Sequence, residues 1–371
     1  MLSRRPIVAL AVSASAFLLA APAAARGATF HCDPAKGDPG GDGSAERPWR
    51  TIEEAIAAGK IRCVGKDGKA SNPEAPVQPG DTVLLRSGWH GSIRVEDCWV
   101  YSTLDPSSWT AKDWVERPRS GVWLGRHGRR HAARNNYVLN VRFGIELCAP
   151  ECLCEGNVVA NFSADGIRVT RDGQIVRRNV IRNNLVSDRD GDPNHDDGIQ
   201  AFLFNVGTGT LRDVTIRENI IIARDAEAPP FPNPLQGIGC FDGPLVRFAV
   251  EGNVVCVDHW HGVSLADAQG CSIRDNACFS PWGGEARPWV MLGQKKGEAR
   301  GNVVRGNWAH SFHFQVDPDV KEEGNRPVTE EAFERRRAEL SALIDGEFGA
   351  VHPVAGRPRL AGKATPGSSR P

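Results

Sequence analysis

Along the middle of the chain, over residues 137–308, apolar residues recur with a period of two and then break at an asparagine. Three residues before Asn157, Asn179, Asn219, Asn253 and Asn276 stand Cys154, Val176, Ile216, Val250 and Ile273, and five before four of them stand Cys152, Val214, Phe248 and Cys271. Such alternation turns one face of a strand toward a core, so these cysteines read as core. Small β-formers follow each Asn, and the register reads Asn140, Asn157, Asn179, Asn219, Asn253, Asn276 and Asn302, at intervals of 17, 22, 40, 34, 23 and 26. A second register, Gly followed by Ile or Val, falls between: Gly144, Gly166, Gly198, Gly237 and Gly262, at intervals of 22, 32, 39 and 25. Repeats of this length mark a solenoid. The two registers alternate, so each coil reads strand, Asn turn, short strand, variable loop, Gly-Ile strand, giving three strands per coil. Asn suits a bend that needs a permissive backbone, and stacked Asn amides can hydrogen-bond up the ladder.

The long intervals place insertions at residues 187–197, 224–236, 257–261 and 279–288, mostly before the Gly-Ile strand. Beyond Trp308 the pattern stops. Residues 329–344 read as a helix with Thr329 as N-cap and acids in the first turn, packing on the end or side of the stack. Residues 355–371 are polar and rich in Pro, Gly and Ser, the composition of a disordered tail. At the other end, Arg4 and Arg5, an apolar run of about 14 residues and Ala23-Ala24-Ala25 fit a cleaved secretory signal over residues 1–25, because a bilayer span needs ~20. The expected location is secreted or periplasmic, with no membrane span in the mature chain.

Residues 48–52, Pro-Trp-Arg-Thr-Ile, open a short amphipathic helix at 52–58, and Gly80-Asp81-Thr82-Val83-Leu84-Leu85-Arg86 follows. Together with the Gly/Asp-rich opening, they resemble the start of the pectate-lyase-like right-handed parallel β-helices. That resemblance implies one β-helix domain over residues 26–310 whose N-terminal helix caps the open stack, then an extension at 311–354. It also implies that the loop before each Gly-Ile strand and the outer face of that strand form a substrate cleft. A polysaccharide is then the partner, and the protein is a monomer.

Composition narrows the picture. Forty Gly and 25 Pro against two Met and two Tyr favour turns and short strands over a helical bundle. Removing Arg4 and Arg5 from the 45 basic side chains leaves 43 against 45 acidic ones, so no global steering of a polyanion follows. The run Arg126, Arg129, Arg130 and Arg134 comes without a nucleic-acid module and reads as a solvated face. Ten cysteines in an exported chain make disulfides an expectation, and the spacing of Cys148, Cys152 and Cys154 does not suit zinc.

Aligning coils on the glycine puts Asp165, Asp197, Gln236 and His261 in one row, His195 and His259 two positions earlier, and Arg168, Gln200, Gly239 and Ser264 in the outward row after it. Asp165 and Asp197, nominally one coil apart, approach the ~5–5.5 Å of a retaining glycosidase pair, or form a ladder that caps turns. Asp196 faces away from Asp197 in a strand. His195 and His259 titrate near neutrality and suit acid-base work. Trp260, Trp282 and Trp289, in the same loop series, suit stacking on a sugar face or packing of their loops. Asp188, Asp190 and Asp192 alternate carboxylates as a calcium ion requires, without EF-hand spacing, or form a solvated acidic loop. Asp192-Pro193-Asn194-His195-Asp196 resembles the Asp-Pro-His-Asp motif of mannuronan C5-epimerases, with Asn194 inserted, which turns His195 to the other strand face.

These parts suit a lyase that abstracts the C5 proton of a uronate polymer. His195 or His259 is the base; Arg168, Gln200 or calcium meets the carboxylate; and His261 or Asp197 supports or acts as the acid. Three alternatives stay open: a C5-epimerase, a glycoside hydrolase using Asp165 and Asp197, and a non-catalytic carbohydrate-binding or surface protein.

Overall fold

The structure, a computed structural model, describes residues 28–349 apart from 64–68, 71, 80, 87–92, 127, 187–195, 204–208, 226–227, 229 and 283–286. The chain divides into two compact units after Arg86.

In the first unit the strands Thr29–Cys32 and Thr82–Leu85 pair in parallel. Helix α1 (Ile52–Ala57) starts where the sequence predicts, its N-cap Thr51 hydroxyl accepting the Glu54 N–H. A small core forms from Cys32, Trp49, Ala55 and Val77.

The second unit is a parallel β-helix. Its three long sheets hold nine, nine and eight strands among the described residues, and neighbours in each pair in parallel. The first sheet runs from Arg94–Glu96 to Lys321–Glu323, the second from Trp99–Tyr101 to Arg326–Pro327, and the third from Val122–Leu124 to Ser311–His313. The period of two sets the inward column: Cys154 pairs with Val176, Val176 with Ile216, Ile216 with Val250 and Val250 with Ile273, all fully buried. The stack does not stop at Trp308. The strands Ser311–His313, Lys321–Glu323 and Arg326–Pro327 complete further coils.

An asparagine ladder runs the length of the turn between the first and second sheets through Asn136, Asn157, Asn179, Asn219, Asn253, Asn276, Asn307 and Asn325. From Asn157 onward each Oδ1 accepts both the backbone N–H and the Nδ2–H of the asparagine one coil earlier, at 2.8–3.1 Å, and Asn136 Oδ1 accepts the Cys98 backbone N–H. Two expected members sit elsewhere. Asn140 belongs to a second ladder with Asn161 and Asn183, all three at positive φ, where the second strand bends. Asn302 opens the first-sheet strand and donates to Ala268 O and Asp317 Oδ2. The permissive backbone also lies one residue earlier than expected: Asn135, Gly156, Arg178, Glu218, Gly252, Asp275, Gly306 and Gly324 take the left-handed conformation, while the ladder asparagines supply hydrogen bonds.

Helix α2 (Ala111–Glu116), which the apolar pattern does not reveal, starts with a Thr110–Asp113 capping box and buries Trp114. Helix α3 (Glu330–Phe348) follows N-cap Thr329 as predicted and runs one turn further. Its Phe333, Leu340, Ile344 and Phe348 lie on one helical face and bury against Ile220, Val254 and Ala277 on the outer face of the second sheet, so it packs on the side of the stack. No described helix is long and apolar enough to cross a membrane.

The disulfide expectation is not met in the stack. Cys148, Cys152, Cys154, Cys240, Cys256, Cys271 and Cys278 are buried thiols without a bridge. Burial pushes Cys152 and Cys271 up to about 11 and Cys256 to about 12, so these thiols stay protonated and fill core space as small apolar groups.

Candidate active site

The third sheet owes its geometry to a glycine column. A Cβ on Gly144 would lie 2.2 Å from the Gly166 carbonyl oxygen, and one on Gly237 would lie 2.2 Å from that of Gly262. Only glycine allows the coils to close up there. Gly166 and Gly198 continue the column, and Gly121, not foreseen from the sequence, begins it. At Gly166, Gly198 and Gly262 the residue before the glycine and the residue two after it project on the outer face and meet as a pair.

Three such pairs form. Arg168 Nε lies 2.6 Å from Asp165 Oδ2, Gln200 Nε2 donates to Asp197 Oδ2 at 3.2 Å, and His261 Nδ1 lies 2.8 Å from Ser264 Oγ. The fourth, Gln236 with Gly239, has no second side chain. The Asp197 carboxylate fills that space, since a Cβ on Gly239 would lie 2.0 Å from Asp197 Oδ1. Strand pairing sets the outward row as Trp123, Glu146, Arg168, Gln200, Gly239, Ser264, Met291 and His313.

One end of this row is acidic and tightly held. Besides Asp165, the Arg168 guanidinium lies 3.5 Å from Glu146 Oε2 and stacks 3.7 Å over the Phe143 ring. Glu146 accepts the Ser120 hydroxyl, and Asp165 Oδ1 accepts the Asp197 backbone N–H at 3.0 Å. Asp165 is 3% exposed and Asp197 fully buried. Arg168 therefore shares its charge between two carboxylates. Asp196 faces the other side, where Asn184 Nδ2 donates to it, as the strand alternation predicts.

The other end is aromatic. The His259 and His261 rings stack at 5.3 Å, Phe241 meets His261 edge-on, and Trp289 stands between His261 and His313 at 5.1 and 4.9 Å. Trp260, 46% exposed, leans on His259. The His261 N–H donates to His259 Nδ1 at 3.1 Å. Trp289 Nε1–H donates to His261 Nδ1 at 3.1 Å and reaches Ser264 Oγ at 3.3 Å.

The structure thus brings Asp165, Arg168, Asp197 and Gln200 into one cluster and His259, Trp260 and His261 into another on the same sheet face. His195, Asp188, Asp190 and Asp192 lie outside the described residues. Among the described residues no group of three or more His, Cys, Asp or Glu side chains could hold a metal ion. Glu146 and His313 were not singled out as site residues, yet Glu146 stands two after a column glycine, where the rule that found Arg168 and Gly239 would have found it. The basic run is partly neutralised: Arg129 and Arg130 pair with Glu151, and Arg134 pairs with Glu155. A cavity of about 370 Å³ lies beside α3, where Glu218, Glu251, Asp275 and Glu339 face Arg217 and Arg336. Its lining holds four acids against two arginines and no histidine, cysteine or serine, so the third-sheet face, which gathers carboxylates, amides and histidines, is the better candidate.

No protein-family model matches the sequence, and no curated protein matches it. Among solved structures the chain is similar to a rhamnogalacturonan lyase, at 11% identity over 76% of this chain and 68% of that chain, with a TM-score of 0.28. It is also similar to the GH136 lacto-N-biosidase from Eubacterium ramulus, at 11% identity over 81% of this chain and 68% of that chain, with TM-scores of 0.31 for the native protein and 0.20 for its selenomethionine derivative. At these TM-scores the likenesses carry no argument about the reaction.

Proposed function

We propose that the outer face of the third sheet binds a polysaccharide and that its reaction is β-elimination from a uronic-acid polymer. The observation that carries this reading is the stacked His259–His261 pair beside exposed Trp260, on the same face as Arg168 and Gln200. Elimination needs a base at C5, a group that meets the carboxylate as charge develops, and an acid for the leaving oxygen. By sequence register the base is His195. His259 suits the acid: its Nδ1 already accepts the His261 N–H, so its own proton belongs on Nε2. Gln200, with calcium at Asp188, Asp190 and Asp192, meets the carboxylate, because Arg168 is already shared by two acids.

A second reading, a retaining hydrolase, draws on the one-coil spacing of Asp165 and Asp197. It is weakened by the hold on Asp165, which Arg168 keeps as a paired carboxylate. Incubation with a panel of uronate polysaccharides separates the classes. A lyase yields a chain end that absorbs in the ultraviolet, an epimerase changes sugar composition without cleavage, a hydrolase yields reducing ends without that absorbance, and a binding protein yields no product. His195→Ala and His259→Ala should each lower turnover by about 10²-fold. Full activity in both variants would overturn the assignment.

A further inference from the structure

We infer that Trp289 holds His261 as the neutral tautomer protonated on Nε2, making His261 a fixed hydrogen-bond donor to a bound ligand and Trp289 its positioning residue. An indole N–H donates and never accepts. At 3.1 Å from His261 Nδ1 it requires a lone pair there, so the ring proton resides on Nε2. Charging the ring would put a second N–H on Nδ1, aimed at the indole N–H. Ser264 Oγ, 2.8 Å from Nδ1, has a lone pair to accept such a proton, but the indole N–H would still point at a protonated Nδ1 from 3.1 Å. Trp289 thereby opposes both the other tautomer and the imidazolium.

The ring is also fixed in orientation, with Phe241 edge-on at 4.8 Å on one side and Trp289 edge-on at 5.1 Å on another. Its titratable neighbours include His259, stacked at 5.3 Å, and His313, which contacts Trp289. The consequence for the site is a division of labour. His261 cannot serve as base in its resting form, and its Nε2–H suits a hydroxyl, ring oxygen or carboxylate of a sugar. This role rests on the proposed reading of the third-sheet face, but the tautomer is tested without any substrate.

The test is a heteronuclear correlation spectrum of the imidazole nitrogens in the full chain, recorded across pH, with His261→Gln identifying the signal. In the wild type His261 should show the Nε2–H pattern and stay neutral below its ordinary titration range. Trp289→Phe keeps an aromatic ring and removes the donor, and should raise the His261 midpoint by about half to one pH unit, the effect of one hydrogen bond to the neutral form. Ser264→Ala should leave the tautomer unchanged. An Nδ1–H pattern in the wild type, an unmoved midpoint in Trp289→Phe, or a tautomer that switches in Ser264→Ala overturns the proposal. Lack of lyase activity with the expected spectra would count against the reaction alone.

Discussion

Replacing Asn219 with alanine probes the ladder that holds the coils in register. Asn219 is fully buried, and its side chain makes four hydrogen bonds. Its Oδ1 accepts the Asn179 backbone N–H at 3.1 Å and Asn179 Nδ2–H at 2.9 Å; its Nδ2 donates to Val176 O at 3.0 Å and Asn253 Oδ1 at 2.9 Å. Some partners keep other bonds. Asn179 Nδ2 still reaches Cys154 O and Arg177 O, and Asn253 Oδ1 still accepts the backbone N–H of residue 219. The Asn179 backbone N–H is left with no bond, at ~1–3 kcal/mol for an orphaned buried donor, and the remaining losses add about 1 kcal/mol each where a partner has no substitute. The expected total is about 3–5 kcal/mol. Asn161→Gly in the second ladder is the control, since glycine keeps the positive φ and two part-buried amide contacts, one to Asn140 and one from Asn183, are lost, for about 1–2 kcal/mol. Urea unfolding followed by circular dichroism compares the two, with midpoints and slopes reported separately because a coil stack can unfold in parts. A cost for Asn219→Ala no larger than that for Asn161→Gly would refute the reasoning.

Gly239→Ala should leave the fold intact and displace the Asp197 carboxylate, because the new Cβ would take the place of Oδ1; turnover should fall by about 10²-fold if Asp197 belongs to the site, and unchanged activity with an unchanged melting curve would remove it. Asp267 accepts the N–H groups of Lys295 and Lys296 at 2.7 and 2.9 Å. Burial works to raise its pKa, but the backbone N–H groups of residues 295–297 and the Lys295 charge outweigh it and hold the carboxyl below its ordinary value. A depressed carboxyl stabilises above its unfolded pKa of about 3.9 and loses that contribution as pH falls through the folded value, so Asp267→Asn should lower the unfolding midpoint at neutral pH and flatten its decline below about pH 4. Calorimetric titration with calcium should give heat with the wild type and none with Asp190→Ala; no heat from the wild type would leave a plain acidic loop.

Much of the stack was legible because two physical periods had to agree. The inward alternation fixed strand faces, and the glycine column follows from steric closure that no other residue permits. The asparagine register failed at both ends for a definable reason. Asn140 and Asn302 also precede small β-formers, but only the ladder members have an inward residue three positions earlier that pairs with the next coil: Ala133 for Asn136 and Val304 for Asn307. Applying that condition throughout would have put Asn136 and Asn307 in place of Asn140 and Asn302, but not carried the stack past Trp308, because Glu322, three before Asn325, is exposed. The site was legible in the same measure. Pairs bridging the column glycine follow from register, whereas Trp289 does not, because the pairing of its strand with His261–Ala266 shifts register between His261 and Val263. Helix α2 escaped because six residues inside an insertion carry no period long enough to read.

Charge decides how a uronate chain can use this face. Among the described residues Glu146, Asp165 and Asp197 lie on successive coils and Arg168 pairs with the first two, three carboxylates to one guanidinium, an excess of about two negative charges if all are ionised. Coils are about 4.8 Å apart. Two like charges about 5 Å apart near a protein surface repel by roughly 3 kcal/mol at an effective dielectric of 20. A substrate carboxylate placed over the acidic end therefore needs a cation beside it, or it must sit toward the histidine end, some ~10 Å further along the row. Asp188, Asp190 and Asp192 precede the Asp197 strand in sequence, so the proposed calcium ion, if bound near that strand, would meet the repulsion where it is greatest. Turnover of a polyuronate should then depend on calcium while that of a neutral glycan should not. A lyase working at full rate in chelator would place the substrate carboxylate at the histidine end.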